Sequence, residues 1–392
     1  MLEKFQNKLQ ELNQKKESKD MDFIYGVNEK TKGGFLGGFE EGLIERKKIT
    51  LKEKAFFFSL FSVLLNAGIT TIQSLKVLSN KTENIKFKRI LNTIVYDVEK
   101  GESLSNAMEK FPEAFTGAEV GVVRSGEAIG ALDRVMAKLA KQTEDQNKLL
   151  TQLKSSLTYP AIVFTILIGA VILMFGFVVP KLVELFLETG LELPTITKIM
   201  LFISQVLQDF WGLIIIAIIL LLILASAYFN SEEGKFQYEL FKIKAPIMGP
   251  ILKKVYIVRF MSTMALLVEA GVPLHQTIQI IADVIDNEVY RLKAYELKAA
   301  VSQGRKVSES LAETPFLFPE TVSKVLEIGE QSAAIGEMSN KISNQYLGEV
   351  DYTLKNLTSV IGPIVIVLVG AFVAVFALAI LSPVFQLTEG IV

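Results

Sequence analysis

The chain has no cysteine and a single histidine, His275, among its 392 residues. That excludes disulfides, thiol nucleophiles, zinc–thiolate sites, iron–sulfur clusters and any site built on paired histidines. Neither sign of charge is in excess: 41 Lys and Arg against 42 Asp and Glu leave a net charge of -1, so no electrostatic footprint for nucleic acid exists. No G-x-x-x-x-G-K-[ST] phosphate loop occurs, because Gly234-Lys235 has neither the upstream glycine nor the following hydroxyl. Alternation with period two is never sustained, so strands are not expected. The first twenty residues, MLEKFQNKLQELNQKKESKD, are charged and have no apolar centre, so a signal peptide is not expected.

Charge is also missing from three long windows. No Asp, Glu, Lys or Arg lies between Lys154 and Lys181, between Asp209 and Glu232, or between Lys355 and Glu389, gaps of 26, 22 and 33 residues. Their apolar centres are 161–179, 211–229 and 364–381. About 20 apolar residues wound as a helix cross the ~30 Å hydrocarbon core, and lipid offers the backbone no other partner. Three transmembrane helices are therefore expected, at 159–180, 209–229 and 360–383. With no ionisable residue inside a span, the usual marker of an ion path is missing. Residues 1–158 hold 25 Lys and Arg and 230–358 hold 14, whereas 181–208 holds only Lys181 and Lys198. The excess of positive charge places the two long segments in the cytoplasm, and 181–208 and the tail 384–392 outside.

Comparing the chain with itself reveals a duplication. At a constant offset of 203, Phe57/Phe260, Gly68/Gly271, Gly101/Gly304, Ser105/Ser308, Pro112/Pro315, Phe115/Phe318, Gly126/Gly329, Glu127/Glu330, Pro160/Pro363 and Pro180/Pro383 are identical. The breaks are kept while the fill changes. Each unit is a cytoplasmic domain, 51–158 or 257–359, followed by one span. The second span returns the chain across the membrane through a linker, 230–256. Spans one and three then run in the same direction, and the halves are expected to be related by a pseudo-two-fold axis along the membrane normal. Within a unit, apolar residues recur every three or four positions, as at Phe87, Ile90, Leu91, Ile94, Val95 and Val98, so each domain is read as a helical bundle. The fold class is thus an all-α integral membrane protein with two repeated cytoplasmic bundles and three transmembrane helices.

Gly68 and Gly271 follow apolar runs and read as C′ caps with positive φ. Pro160 and Pro363 are placed at the entrances of spans one and three, where a missing N–H costs little, and Pro180 and Pro383 at their exits. Gly126-Glu127 and Gly329-Glu330 are the sharpest polar repeat. Two readings stand: a glutamate that caps the next helix, or a docking or metal-binding surface. Aligning GEAIGAL on GEQSAAIGEM puts three extra residues into the second turn. In the N-terminal tail, 1–50, residues 1–16 place Leu2, Phe5, Leu9 and Leu12 on one face, and 26–42 read as a Gly-rich linker. His275 reads as a helix-surface or half-buried residue.

These motifs, in this order, resemble the inner-membrane platform proteins of type IV pilus and type II secretion machines, the PilC/GspF family, over about residues 50–388. The resemblance rests on LLNAGIT (64–70) with LLVEAGVP (266–273), GESLSNAMEKFPEAF (101–115), VVRSGEAIGALD (122–133), SSLTYPAIV (155–163), FLETGLELPTITKIMLFIS (186–204) and APIMGP (245–250). It implies a mechanical, non-enzymatic role in the bacterial inner membrane, and no residue is assigned to catalysis, a cofactor or a metal. The implied partners are a hexameric cytoplasmic ATPase, pilin or pseudopilin, other inner-membrane assembly proteins, membrane lipid and further copies of the chain. A type II secretion or DNA-uptake pseudopilus platform is the near alternative. A small membrane receptor or transporter is the alternative from another class.

Overall fold

The computed structural model describes residues 48–181, 195–246 and 248–389. The tail readings for 1–16 and 26–42 lie outside them. Among the described residues every regular element is helical. The first repeat comprises α1 (Leu51–Asn66), α2 (Thr71–Lys81), α3 (Ile85–Glu99), α4 (Leu104–Glu109), α5 (Gly117–Ala128) and α6 (Leu132–Leu173). A wide π turn (Met174–Val178), α7 (Thr195–Asp209), α8 (Trp211–Asn230) and α9 (Glu232–Lys244) follow. The second repeat comprises α10 (Met248–Glu269), α11 (Leu274–Val284), α12 (Glu288–Ser302), α13 (Val307–Ala312), α14 (Glu320–Gln331) and α15 (Ile335–Glu389). Both ends of α11 through α14 lie 203 residues after those of α2 through α5. The duplication is therefore kept to the residue at helix boundaries. The segment expected as a linker, 230–256, is mostly helix, and α7 lies in the segment expected as an external loop.

The chain divides into two compact units, Met1–Leu150 with Leu252–Gly348, and Thr151–Ile251 with Glu349–Val392. Each bundle of the first unit closes on aromatic rings at equivalent positions. In repeat one, Phe57 lies 5.6 Å from both Phe87 and Phe115. In repeat two, Phe318 lies 5.1 Å from Phe260 and 5.5 Å from Tyr290, the counterpart of Phe87. The Tyr290 hydroxyl donates to Leu317 O at 3.1 Å, and burial raises its pKa.

Helix ends explain the retained glycines. The N–H of Ile69 reaches Leu64 O at 3.1 Å, and that of Val272 reaches Leu267 O at 2.9 Å, each closing a Schellman turn around a glycine with φ of 78° (Gly68) or 83° (Gly271). The turn after α5 corrects the alignment expectation: nothing is inserted in repeat two. Gly130 (φ 67°) and Ala333 (φ 55°) hold the same place, and Ala131 N to Gly126 O (2.8 Å) matches Ala334 N to Gly329 O (2.7 Å). The recurring string Ala-Ile-Gly, at 128–130 and 334–336, draws the letters out of register with the backbone. An alanine in left-handed backbone is disfavoured by roughly 1–2 kcal/mol, and glycine's larger unfolded freedom returns part of that. Ala333→Gly should therefore stabilise the protein by roughly 0.5 kcal/mol and Gly130→Ala should do the reverse; opposite shifts in the melting of the two full-length variants would show it.

The prolines expected at the span entrances and exits neither begin nor end helices. Pro160 is well inside α6, and Pro363 and Pro383 are inside α15, because helix runs unbroken from the soluble bundle into each apolar stretch. The cost of an interior proline, about 3 kcal/mol in water, is tolerated where hydroxyls and neighbouring helices serve the freed groups. Pro180 shows how. Through the π turn the N–H of Val179 bonds Met174 O. The carbonyl of Phe175 would then look to position 180, whose proline has no N–H. Ser204 of α7, itself 2% exposed, donates its hydroxyl to Phe175 O at 2.6 Å. Next to this joint Val179 and Phe376 form a small buried cluster with Met174, Phe175 and Phe372 around them.

Among the described residues three helices are long and apolar enough to cross a membrane: Leu132–Lys181, Trp211–Phe229 and Ile335–Leu378. Their apolar side chains are largely exposed, for example Ile166 at 67% and Leu221 at 65%. That exposure suits lipid contact and no water-facing surface.

Candidate functional site

The repeated Gly-Glu pairs sit inside α5 and α14, not in the turns that follow. Gly126 lets α6 cross closely: a Cβ there would stand 2.6 Å from Val135. Gly329 does the same for Met338, 2.9 Å away. The next residue then reaches sideways to a short helix that precedes it in sequence. Glu127 accepts from Leu104 N (2.5 Å), Ser105 N (2.9 Å) and Ser105 Oγ (2.6 Å). Glu330 accepts from Val307 N (2.6 Å), Ser308 N (3.3 Å) and Ser308 Oγ. Each half-buried carboxylate thus satisfies the orphan donors at the N-terminus of α4 or α13, where negative charge also complements the helix dipole. The capped helix is the earlier one, about 22 residues upstream, and not the next one. No group of three or more His, Cys, Asp or Glu suited to a metal occurs among the described residues.

Two further features were not singled out from sequence. Lys54 and Glu119 form a buried ion pair at 2.6 Å, and Glu119 also accepts from Thr116 N at 2.8 Å in a capping box. Their counterparts in repeat two are the buried Ile257 and Val322, preceded by Pro319 where repeat one has Thr116. The other is the joint between the repeats. Ser125 donates its hydroxyl to Ala270 O, Lys138 pairs with Glu269 at 2.8 Å, and Leu266 and Leu267 enter the core of repeat one. A Cβ on Gly121 would meet Ile280 Cδ1 at 3.4 Å, so α5 and α11 lie close together. This contact is head-to-tail. Under the expected two-fold relation α14 would cover α2 equally, yet Val63 and Val77 stay 60% and 39% exposed. Lys324 stands where repeat one has Gly121, so the second copy of the surface has lost the groove that made close approach possible.

A cleft of about 140 Å³ beside this joint is lined by α6, α10 and α15, with Lys141, Arg259, Asp145, Gln142, Asn340 and Asn344 among its polar groups. Desolvation raises the Asp145 carboxyl's pKa. Mixed charge and two amides give it no evident selectivity for one ligand class. His275 is an exposed residue of α11.

Fold and site together define a duplicated all-helical membrane protein whose repeated polar residues are spent on holding short helices. A family model described as "Type II secretion system (T2SS), protein F" matches residues 57–180 and again 260–383, two copies displaced by the same 203 residues. The chain belongs to this family. It is 31% identical over 337 residues to the type IV pilus assembly protein PilC of Thermus thermophilus, covering 86% of this chain and 83% of that protein. It is 29% identical to the type IV pilus assembly protein TapC of Aeromonas hydrophila over 93% of this chain and 86% of that one. It is 25% identical to the type II secretion system protein F of Pseudomonas aeruginosa, over 87% of this chain and 84% of the relative.

Proposed function

We propose that the protein is the inner-membrane platform of a type IV pilus assembly machine, where it couples a cytoplasmic hexameric ATPase to the movement of pilin between bilayer and fibre. The observation that carries this reading is similarity along nearly the whole duplicated length to type IV pilus assembly proteins, at higher identity than to the secretion protein. The chain has no phosphate loop, so work must come from a partner. In this reading the N-terminus and both bundles are cytoplasmic and the C-terminus is external, which the excess of Lys and Arg in 1–158 and 230–358 supports.

Reporter fusions after Asp145, Thr195, Ala300 and Val392 should read inside, outside, inside and outside. External activity at Ala300 would remove the second bundle from any cytoplasmic motor and defeat the proposal. Purification of the tagged full-length chain from membranes should recover a pilin and an ATPase, and deletion should abolish surface pili. Recovery of a pseudopilin, with secretion lost and pili intact, would instead favour the secretion platform, for which the similarity to protein F speaks.

A further inference from the structure

The end of span one carries two features that a plain helix does not need. In an α-helix the N–H of Val179 would bond the carbonyl of Phe175, four residues back. Here it bonds Met174 O, five residues back, and the Ser204 hydroxyl of α7 donates to Phe175 O at 2.6 Å. A single wide turn in a long helix is rare and recurs at functional joints. The second feature is a doubled side chain. Val179 is 3% exposed in its cluster with Phe376, and its neighbour Val178 is 38% exposed. The residue that closes a turn on Met174 O is Val179 in the wide turn and would be Val178 in an α turn. The place beside Phe376 is filled by a valine in either case. Span three shows that the narrower turn is compatible with a proline at this spacing, because α15 is regular helix through Pro383.

We infer that the end of span one is a switch between two helical registers, and that α7 sets it. With α7 docked, Ser204 serves Phe175 O and holds the wide turn. With α7 withdrawn, Phe175 O returns to Val179 N, Met174 O to Val178 N, and Val178 takes the place of Val179 against Phe376. Valine packs there in both registers, so the choice rests on the hydroxyl and not on the core. Phe175 lies in the charge-free window, where a released carbonyl must find its partner within the protein, and that gives one hydrogen bond its leverage. The output is a rotation. When the wide turn closes up, Pro180 and Lys181 advance by one residue, about 100° around the span axis and about 1.5 Å along it. The coupling is reciprocal: whatever lifts α7 turns the end of span one, and whatever turns that end releases α7.

The chain has no native cysteine, so paired thiols report the register directly. Full-length protein carrying Val179→Cys with Phe376→Cys, oxidised in native membranes, should close an internal disulfide, read as a reducible mobility shift at monomer mass. It should do so at least tenfold more than Val178→Cys with Phe376→Cys. Both pairs share the change at 376, so its cost cancels in the ratio. Adding Ser204→Ala should lower that ratio at least fivefold by raising closure of the Val178→Cys pair. Adding Ser204→Thr, which keeps the hydroxyl, should leave the ratio at the parent value. A ratio that Ser204→Ala leaves unchanged would overturn the inference. A fall of both pairs together would also overturn it, because the hydroxyl would then hold the joint without choosing its register. Equal closure of the two pairs in the parent would do the same.

Discussion

Lys54→Ile alone should destabilise the first repeat by about 3–5 kcal/mol, whereas the triple variant Lys54→Ile, Thr116→Pro, Glu119→Val should be neutral or more stable than the parent. Removing one member of a buried ion pair leaves the other charge without compensation, and that penalty has this size. Lys54 and Glu119 are 6% and 9% exposed, so little water can take over. Replacing both by apolar residues removes the desolvation cost along with the attraction, which often balances or improves the total. The duplication has already made this exchange, with Ile257 and Val322 buried at the twin positions. The third change matters because Glu119 also holds the N–H of Thr116. Repeat two has Pro319 there, which has no N–H to satisfy and a φ of -54° suited to the helix start. Hydrogen-exchange protection of peptides from α1 and α3 in the detergent-solubilised full chain measures the effect in repeat one, with α12 as an internal reference. If the triple variant lost as much protection as the single one, the ion pair would be a net stabiliser and the inference from the twin would fail.

Glu330→Ala should destabilise its repeat by about 3 kcal/mol, and Glu127→Ala by less. Hydrogen bonds to a charged acceptor contribute about 1.5–3 kcal/mol, and donors left in a half-buried setting add their own cost. The two repeats differ in what remains after the change. Ser103 still accepts from Asn106 N at the start of α4, whereas Lys306 gives α13 no side-chain cap. Glutamine is an imperfect substitute at both sites. Both carboxylate oxygens receive donors, and an amide would turn its NH₂ toward one of them. Lysine at these positions would set an ammonium against N–H groups, so loss of pili in such a variant would report unfolding and not a lost contact. In the same exchange experiment the loss of local protection relative to the parent should be larger in α13 of Glu330→Ala than in α4 of Glu127→Ala.

Much of this was legible because glycine and proline mark backbone events that do not depend on neighbours. A left-handed residue closing a helix is required by the chain itself, so Gly68 and Gly271 stand out in one sequence, and charge-free runs of membrane length do likewise. The turn at Ala333 misled for the converse reason: its left-handed residue is not glycine, and the glycine that seemed to match, Gly336, belongs to the first turn of α15 beside Glu269. The partners of Glu127 could not be read, since they lie 22 and 23 residues back on a helix of only six residues. Lys54 sits at the edge of an apolar run, and its partner is 65 residues away. The asymmetry of the joint could have been suspected from Gly121 against Lys324, where a residue without a side chain is matched by one with a long stem.

The wide turn at Met174–Val178 has no twin in α15, which is regular helix from Ile335 to Glu389, although the prolines of the two spans are equally spaced. Past that turn, equal positions in the repeats no longer mean equal azimuth around the helix. Only Val179, Pro180 and Lys181 follow it among the described residues, so the two spans keep the same phase along most of their length and part company in their last turn.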